Sequence, residues 1–433
     1  MPRTPRNPGG RPVRVPRPLR AIGRAIGVPV NEVRIFWLQE SGSIRAGSTA
    51  LAIGLGATLI AGIVLASAEE QLEEVPGLLA LIPAAIGMRG SIFGALGSRL
   101  STGIFTGQFE PSLERRSYLG RQVEASTILS FATATQAGVL AWGISVALGL
   151  STVPVLELVA VSLIGGLLSS VVLFVVVITM ARRSYNRGWS MDDVGAPVIT
   201  ATGDLVTLPA LLLATLLLRV EWLALGLGGL GLAVGTVAVV LGIRATDPTI
   251  RQVVRESLVV LTIAVTIDVL AGVIVEARAE ASFGAAALLV LLPPFIANCG
   301  SLGGILSSRL ASKLHVGLLE ARLLPGKIAI LDVSLTVLLA ILAFSGVGVA
   351  GWLAASIVPG VEPLPLLDTV GVTLLAGLFA LPILASVAYA AAVTSFRFGF
   401  DPDNHGIPIV TATMDLAGVL CLVAAITILQ LGA

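Results

Sequence analysis

Cysteine and histidine are nearly absent from this chain: among 433 residues there are two of each, Cys299, Cys421, His315 and His405. Both cysteines lie inside apolar runs, which excludes a disulfide framework, a zinc ribbon and an iron–sulfur protein. Two histidines leave almost no scope for an imidazole metal site. Charge is equally scarce. Only 12% of residues are Asp, Glu, Lys or Arg, against about 25% in soluble domains. Hydrophobic residues make up 55%, and the mean hydropathy is +0.96. A soluble enzyme is excluded. The net charge of +1 hides an uneven distribution, because nine arginines fall within the first 45 residues.

What is present is long apolar sequence. A spanning helix needs about 20 mainly apolar residues, and runs bounded by charges predict helices near 46–67, 77–99, 125–149, 156–180, 196–218, 222–243, 256–275, 285–307, 328–350, 367–394 and 407–431. That makes eleven spans in an all-α polytopic membrane protein. Residues 1–45, with Pro2, Pro5, Pro8, Pro12, Pro16 and Pro18 among the arginines, cannot bury enough apolar surface to order themselves and read as a disordered basic tail. Within the tail, Asn31 to Glu40 reads as a short interfacial helix. With the amino terminus inside, 24 of the 27 basic residues fall inside, Arg219 and Arg278 fall outside, and Arg89 lies within a span. This bias predicts a multi-pass cytoplasmic-membrane protein with its carboxy terminus outside. The outer loops are acidic, which favours cations at that face.

The chain contains itself twice. Leu81–Glu110 aligns without a gap to Leu291–Glu320, with 12 of 30 positions identical, and Pro197–Asp204 (PVITATGD) matches Pro408–Asp415 (PIVTATMD). Pro, Gly, Ser, Arg and Glu recur together, which shared hydrophobicity alone would not produce. The expected organisation is the tail at 1–45, a five-helix repeat at 46–220, a connecting span at 221–245 and a second five-helix repeat at 246–433. The connecting span makes the two odd-numbered repeats parallel, with a pseudo-twofold axis along the membrane normal and a pathway on that axis. The connecting helix carries Gly226, Gly228, Gly229 and Gly231. With no strand before them, these read as close helix packing rather than a dinucleotide loop.

Three carboxylates lie well inside spans: Asp204, Asp268 and Asp415. A charge at that depth costs on the order of 3 kcal/mol or more and normally faces protein, water or an ion. Asp204 and Asp415 are repeat mates, so one carboxylate from each half reaches the same depth. They would repel one another unless protonated or neutralised by a cation, and a divalent ion that keeps much of its water shell fits them. The alternative is two aspartates bonded within the protein. Thr200 and Thr411 stand one turn before them on the same face and could add oxygens, although threonine often bonds back to its own helix. Asp268 has Thr58 as its counterpart. That asymmetry argues against a shared axial role and makes Asp268 a candidate proton- or sodium-coupling group, dispensable for ion binding if the protein is a channel. The second helix of each repeat has a proline entry followed by small and polar residues, including Gly90 and Ser91, then Asn298, Gly300 and Ser301. Carbonyls freed by proline are tolerated only against protein or a water-filled path, so these residues are candidates to line a pore or to pack helices tightly.

At these residues the sequence resembles the MgtE and solute carrier family 41 magnesium transporters, in the form with two fused MgtE-type membrane domains. The motifs that carry it are Pro83 through Leu100, Gly203–Leu208, and Asp401-Pro402-Asp403-Asn404 leading to Pro408 and Asp415. The resemblance implies a magnesium path between two five-helix domains, lined by their second and fifth helices, with Asp204 and Asp415 binding the hydrated ion. Where the family usually has glycine–asparagine in the second helix, this chain has Gly90-Ser91 and Gly300-Ser301. The expectation is divalent-cation transport, as an ion channel or as a sodium- or proton-coupled exchanger. Magnesium would be substrate, with no organic cofactor. The partners would be the lipid bilayer and divalent cations, with no nucleic acid. One chain would form an internal pseudo-dimer, with a higher oligomer open. A membrane-embedded enzyme is not expected, because no His or dedicated Lys lies in a span to serve as acid, base or nucleophile.

Overall fold

The computed structural model describes residues 29–187, 191–282, 286–322, 324–359, 361, 363–399 and 406–429. The basic tail before residue 29 and the Asp401–Asn404 motif lie outside them. The described residues form helices throughout, with no strand. In lipid, every backbone N–H and C=O needs a partner within its own segment, and a helix supplies one. The helices are α1 (Val30–Gln39), α2 (Ser41–Ser67), α3 (Glu69–Glu74), α4 (Leu78–Phe105), α5 (Tyr118–Ala147), α6 (Val155–Arg187), α7 (Met191–Thr215), α8 (Glu221–Ile243), α9 (Pro248–Ser282), α10 (Ala286–His315), α11 (Lys327–Ala355), α12 (Leu366–Phe398) and α13 (Ile407–Ile428). Eleven are long and apolar enough to cross a membrane. They match the eleven predicted spans, but several run beyond the charge-bounded limits. Pro248–Ser282 replaces 256–275, for example, because an arginine at a helix end keeps its head in water while the backbone continues.

Each contact made by the first repeat has its mate in the second. Helix α4 packs on α5, α6 and α7 as α10 packs on α11, α12 and α13. The first helix of each repeat is exchanged: α2 lies on α10, α11 and α7, and α9 lies on α4, α5 and α13. Each bundle therefore borrows its first helix from the other half of the sequence, a cross-packing that the repeat alignment did not contain. Two glycines show why it fits. Pro83 and Pro294 remove the hydrogen bonds that Leu79 and Val290 carbonyls would have accepted. A Cβ on Gly272 of α9 would lie against the carbonyl oxygens of Leu79 (2.7 Å) and Ala80, and one on Gly62 of α2 against the Val290 oxygen. Glycine lets the exchanged helix close onto the carbonyls that proline left open. The connecting helix α8 packs on α5 and α6, with Gly228 against the Leu156 carbonyl and Gly231 against Val159 and Leu163 at 3.1 Å. The glycine run is thus a packing surface.

The polar ends of the two halves differ. Glu276 of α9 is buried and accepts from the backbone N–H of Gly77 and, at 3.0 Å, from that of Ala80, capping the N-terminus of α4. At the arginine-rich end, Asp332 of α11 accepts from Arg309 (2.8 Å) and Lys313 (2.6 Å) of α10, while Arg309 also reaches Glu40 at 3.1 Å. The Ser43 hydroxyl and Arg309 hold the Glu40 carboxyl below the usual carboxylate range. Trp37 donates to Ser334 at 3.2 Å and Lys327 pairs with Glu32 at 2.5 Å, so α1, predicted as an interfacial helix, docks on the second half.

Candidate ion site

Asp204 sits in α7 and Asp415 in α13, the fifth helices of the two repeats. Asp204 is buried at 7% exposure and Asp415 is half-buried. The repeat relation puts the two at matching turns of these helices. Helix α13 starts with Pro408, whose fixed φ suits a first turn. Thr202 and Thr413, two residues before each aspartate, turn back to the Val198 and Ile409 carbonyls, both at 2.7 Å, and hold no other group. Thr411 donates to the Pro408 carbonyl at 3.1 Å and keeps its lone pairs, while Thr200 is exposed one turn before Asp204.

The second helices α4 and α10 pack against the fifth helices of their own repeats. On α10, a Cβ at Gly300 would stand 3.5 Å from Asp415 Oδ1 and 3.7 Å from Thr411, so glycine keeps that approach open. Ser301 is exposed, Asn298 is 4% exposed and donates through Nδ2 to the Pro294 carbonyl at 2.8 Å. On α4, Gly90 and Gly94 have nothing within 4 Å of a Cβ position, and Gly90 and Ser91 are half-buried. Ser91 also lines a small cleft with Arg99, Ser257 of α9 and Pro408 of α13. The proline level of each second helix is thus tight packing, while on α4 Gly90 and Gly94, two to three turns further on, border open space.

Arg89 does not face the aspartates. Fully buried, it donates from Nη1 to Ser170 of α6 at 2.7 Å, against Gly166. Its Nε and Nη2 have no partner. The obstacle that an arginine in a cation path would pose is therefore absent from this region.

Asp268, expected as a candidate proton- or sodium-coupling group, is brought to the fifth helix of the second repeat. Because α9 is the exchanged helix, it lies on both α4 and α13. The Asp268 carboxyl lies within hydrogen-bonding reach of Asp415. It also stands over Gly87, whose Cβ would be 3.2 Å from Asp268 Cγ. Its mate Thr58 is bonded to its own helix at Gly54 and Leu55. Sequence reasoning missed this meeting and the role of Gly87, although Gly62 and Gly272, spaced like the repeats, signalled a close approach by the first helices. Among the described residues no three His, Cys, Asp or Glu side chains converge tightly enough to hold a bare metal ion. An ion held through its own waters, as magnesium commonly is, does not require such convergence.

Eleven helices of membrane-spanning length among the described residues, in two similar repeats, define a multi-pass membrane protein. The model of the MgtE family, described as divalent cation transporters, matches residues 82–214 and 292–425, and the chain belongs to that family. Solute carrier family 41 member 3 of Rattus norvegicus is 27% identical over 389 residues, covering 84% of this chain and 82% of its own. Solute carrier family 41 member 2 of Homo sapiens is 26% identical over 413 residues, covering 86% and 68%. No solved structure matches significantly.

Proposed function

We propose that the protein carries a divalent cation, magnesium in the first place, across the cytoplasmic membrane along a path between the two repeats, with Asp204 and Asp415 holding the hydrated ion. The observation that carries this reading is that each repeat places one carboxylate at the matching turn of its fifth helix, inside a span. Two like charges in a low-dielectric interior are stable together only with a proton or a cation between them, and a transporter of divalent cations supplies the cation. Gly300 keeps the second helix of its repeat close to Asp415, and Thr200 and Thr411 extend the oxygen lining by one turn. Gly90, Ser91, Asn298, Gly300 and Ser301 line the approach. The 24-to-2 basic count orients the arginine-rich end inward, so accessible cysteines near Arg115 and Lys313 report inside and those near Glu73 outside. Because the chain carries both repeats, one chain forms one path.

The test is uptake by reconstituted protein in liposomes, comparing magnesium, calcium and manganese with and without imposed sodium, proton and voltage gradients. Magnesium uptake that needs neither sodium nor proton gradient supports a channel. Strict dependence on one of them selects a coupled exchanger using the same site. Wild-type uptake and affinity in folded Asp204→Asn and Asp415→Asn would falsify the carboxylate site.

A further inference from the structure

Two other buried carboxylates among the described residues have donors. Glu276 of α9 accepts from two backbone N–H groups of α4, and Asp332 accepts from Arg309 and Lys313. Asp268 lies on the same helix as Glu276 and is 1% exposed, yet its Oδ1 is buried with no partner. Its carboxyl stands over Gly87 and beside the Asp415 carboxyl, a second acidic group rather than a basic one. Arg89, the one arginine within the spans' interior on the adjoining helix α4, points instead to α6. A buried carboxylate is strongly disfavoured in its charged form unless a proton or a positive charge meets it. Among the described residues, nothing on α4, α5, α8 or α13, the helices packed on α9, offers a positive charge to Asp268, which leaves a proton shared with Asp415 or a cation to neutralise it.

We infer that Asp268 is a third carboxylate of the ion seat, acting with Asp415 beside it and Asp204 across from it on the water shell of a divalent cation. The inference rests on the reading of Asp204 and Asp415 as ion-holding residues and adds a feature that reading lacks. The seat is lopsided, with two carboxylates from second-repeat helices and one from the first. Three negative charges around one ion favour a doubly charged cation over sodium or potassium, because the attraction scales with the charge of the ion. Asp268 is thereby a specificity-determining residue. The exchange of first helices delivers it to the seat, and Gly87 gives it room, since any side chain there would occupy the space of its carboxylate.

The experiment measures magnesium uptake into liposomes by full-length protein, with no sodium or proton gradient, alongside competition by excess sodium and potassium. Asp268→Asn is expected to raise the half-saturating magnesium concentration about tenfold or more, the scale of one hydrogen-bonded charged contact, and to admit monovalent competition. Gly87→Ala keeps all three charges but displaces the Asp268 carboxylate, and is expected to weaken magnesium in the same direction by a smaller factor. It decides the matter if Asp268→Asn fails to fold. Wild-type affinity and selectivity in Asp268→Asn, or in Gly87→Ala where only that variant folds, overturns the third ligand if Asp204→Asn and Asp415→Asn remain impaired. If those two are also unimpaired, the underlying two-carboxylate reading has failed instead.

Discussion

The two halves agree in which helices touch and disagree in which positions carry charge. Where the second half has Asp268, Asp332 and Lys313, the first has Thr58, Gln122 and Gly103, and where the first has Arg89 the second has Cys299. Arg309 is locked by Asp332, whereas Arg99 meets the neutral Gln122 at 2.7 Å. Helix packing depends on small residues and proline at fixed spacing, which duplication copied and the bundle then required. Charges are individual, so each half could change them without disturbing the frame. The lesson is that symmetry here belongs to the scaffold, while the chemistry is distributed unequally across it.

The largest effects should come from the opposed aspartates. Asp204→Asn removes the first half's only interior carboxylate, and the expected rise in half-saturating magnesium is about a hundredfold; Asp415→Asn leaves Asp268 behind and should cost about tenfold. Equal losses in transport assays of the two variants would erase the lopsided seat. The double variant should lose less than the sum of both, because groups around one ion are not additive.

The ionic ends give the next contrast. Asp332→Asn strands Lys313 and leaves Arg309 with Glu40 alone, and should cost about 3 kcal/mol of stability. Gln122→Ala, at the equivalent place, loses one hydrogen bond to a charged group and should cost about 1.5 kcal/mol. Thermal unfolding in detergent measures both, and similar costs would mean that the two ends are equivalent after all.

Glycine substitutions separate packing from path. Gly62→Ala and Gly272→Ala press a methyl group onto backbone carbonyls and should each destabilise by about 2 kcal/mol, equally in the two halves. Gly90→Ala and Gly94→Ala meet nothing within 4 Å, so unfolding temperature should hold while uptake falls. A drop in stability without a change in uptake would remove these two positions from the path.

The smallest effect is expected at Arg89. Replacing it by Met removes two unpartnered donors along with one bond to Ser170, so stability should change by no more than about 1 kcal/mol and magnesium affinity should stay within twofold. A large affinity change in binding assays would show that the guanidinium is felt at the ion seat.

Much of this was legible in the sequence, and for definite reasons. Apolar length sets the number of spans because lipid accepts only closed backbone hydrogen bonding. The repeat of Pro, Gly and Ser in 81–110 and 291–320 exposed the duplication, and P-x-x-T-A-T-x-D placed Asp204 and Asp415 in matching turns. Those motifs are local, so one dimension suffices to read them. The exchange of α2 and α9 is not local. It depends on which proline-freed carbonyl meets which glycine across more than 190 residues, as with Gly272 and Leu79. For the same reason the sequence assigned Asp268 a role apart from the axis and left the direction of Arg89 open. A residue's own helix fixes its depth, but the helix packed against it decides what it touches, and for Asp268 and Arg89 that neighbour was set only when the two halves folded together.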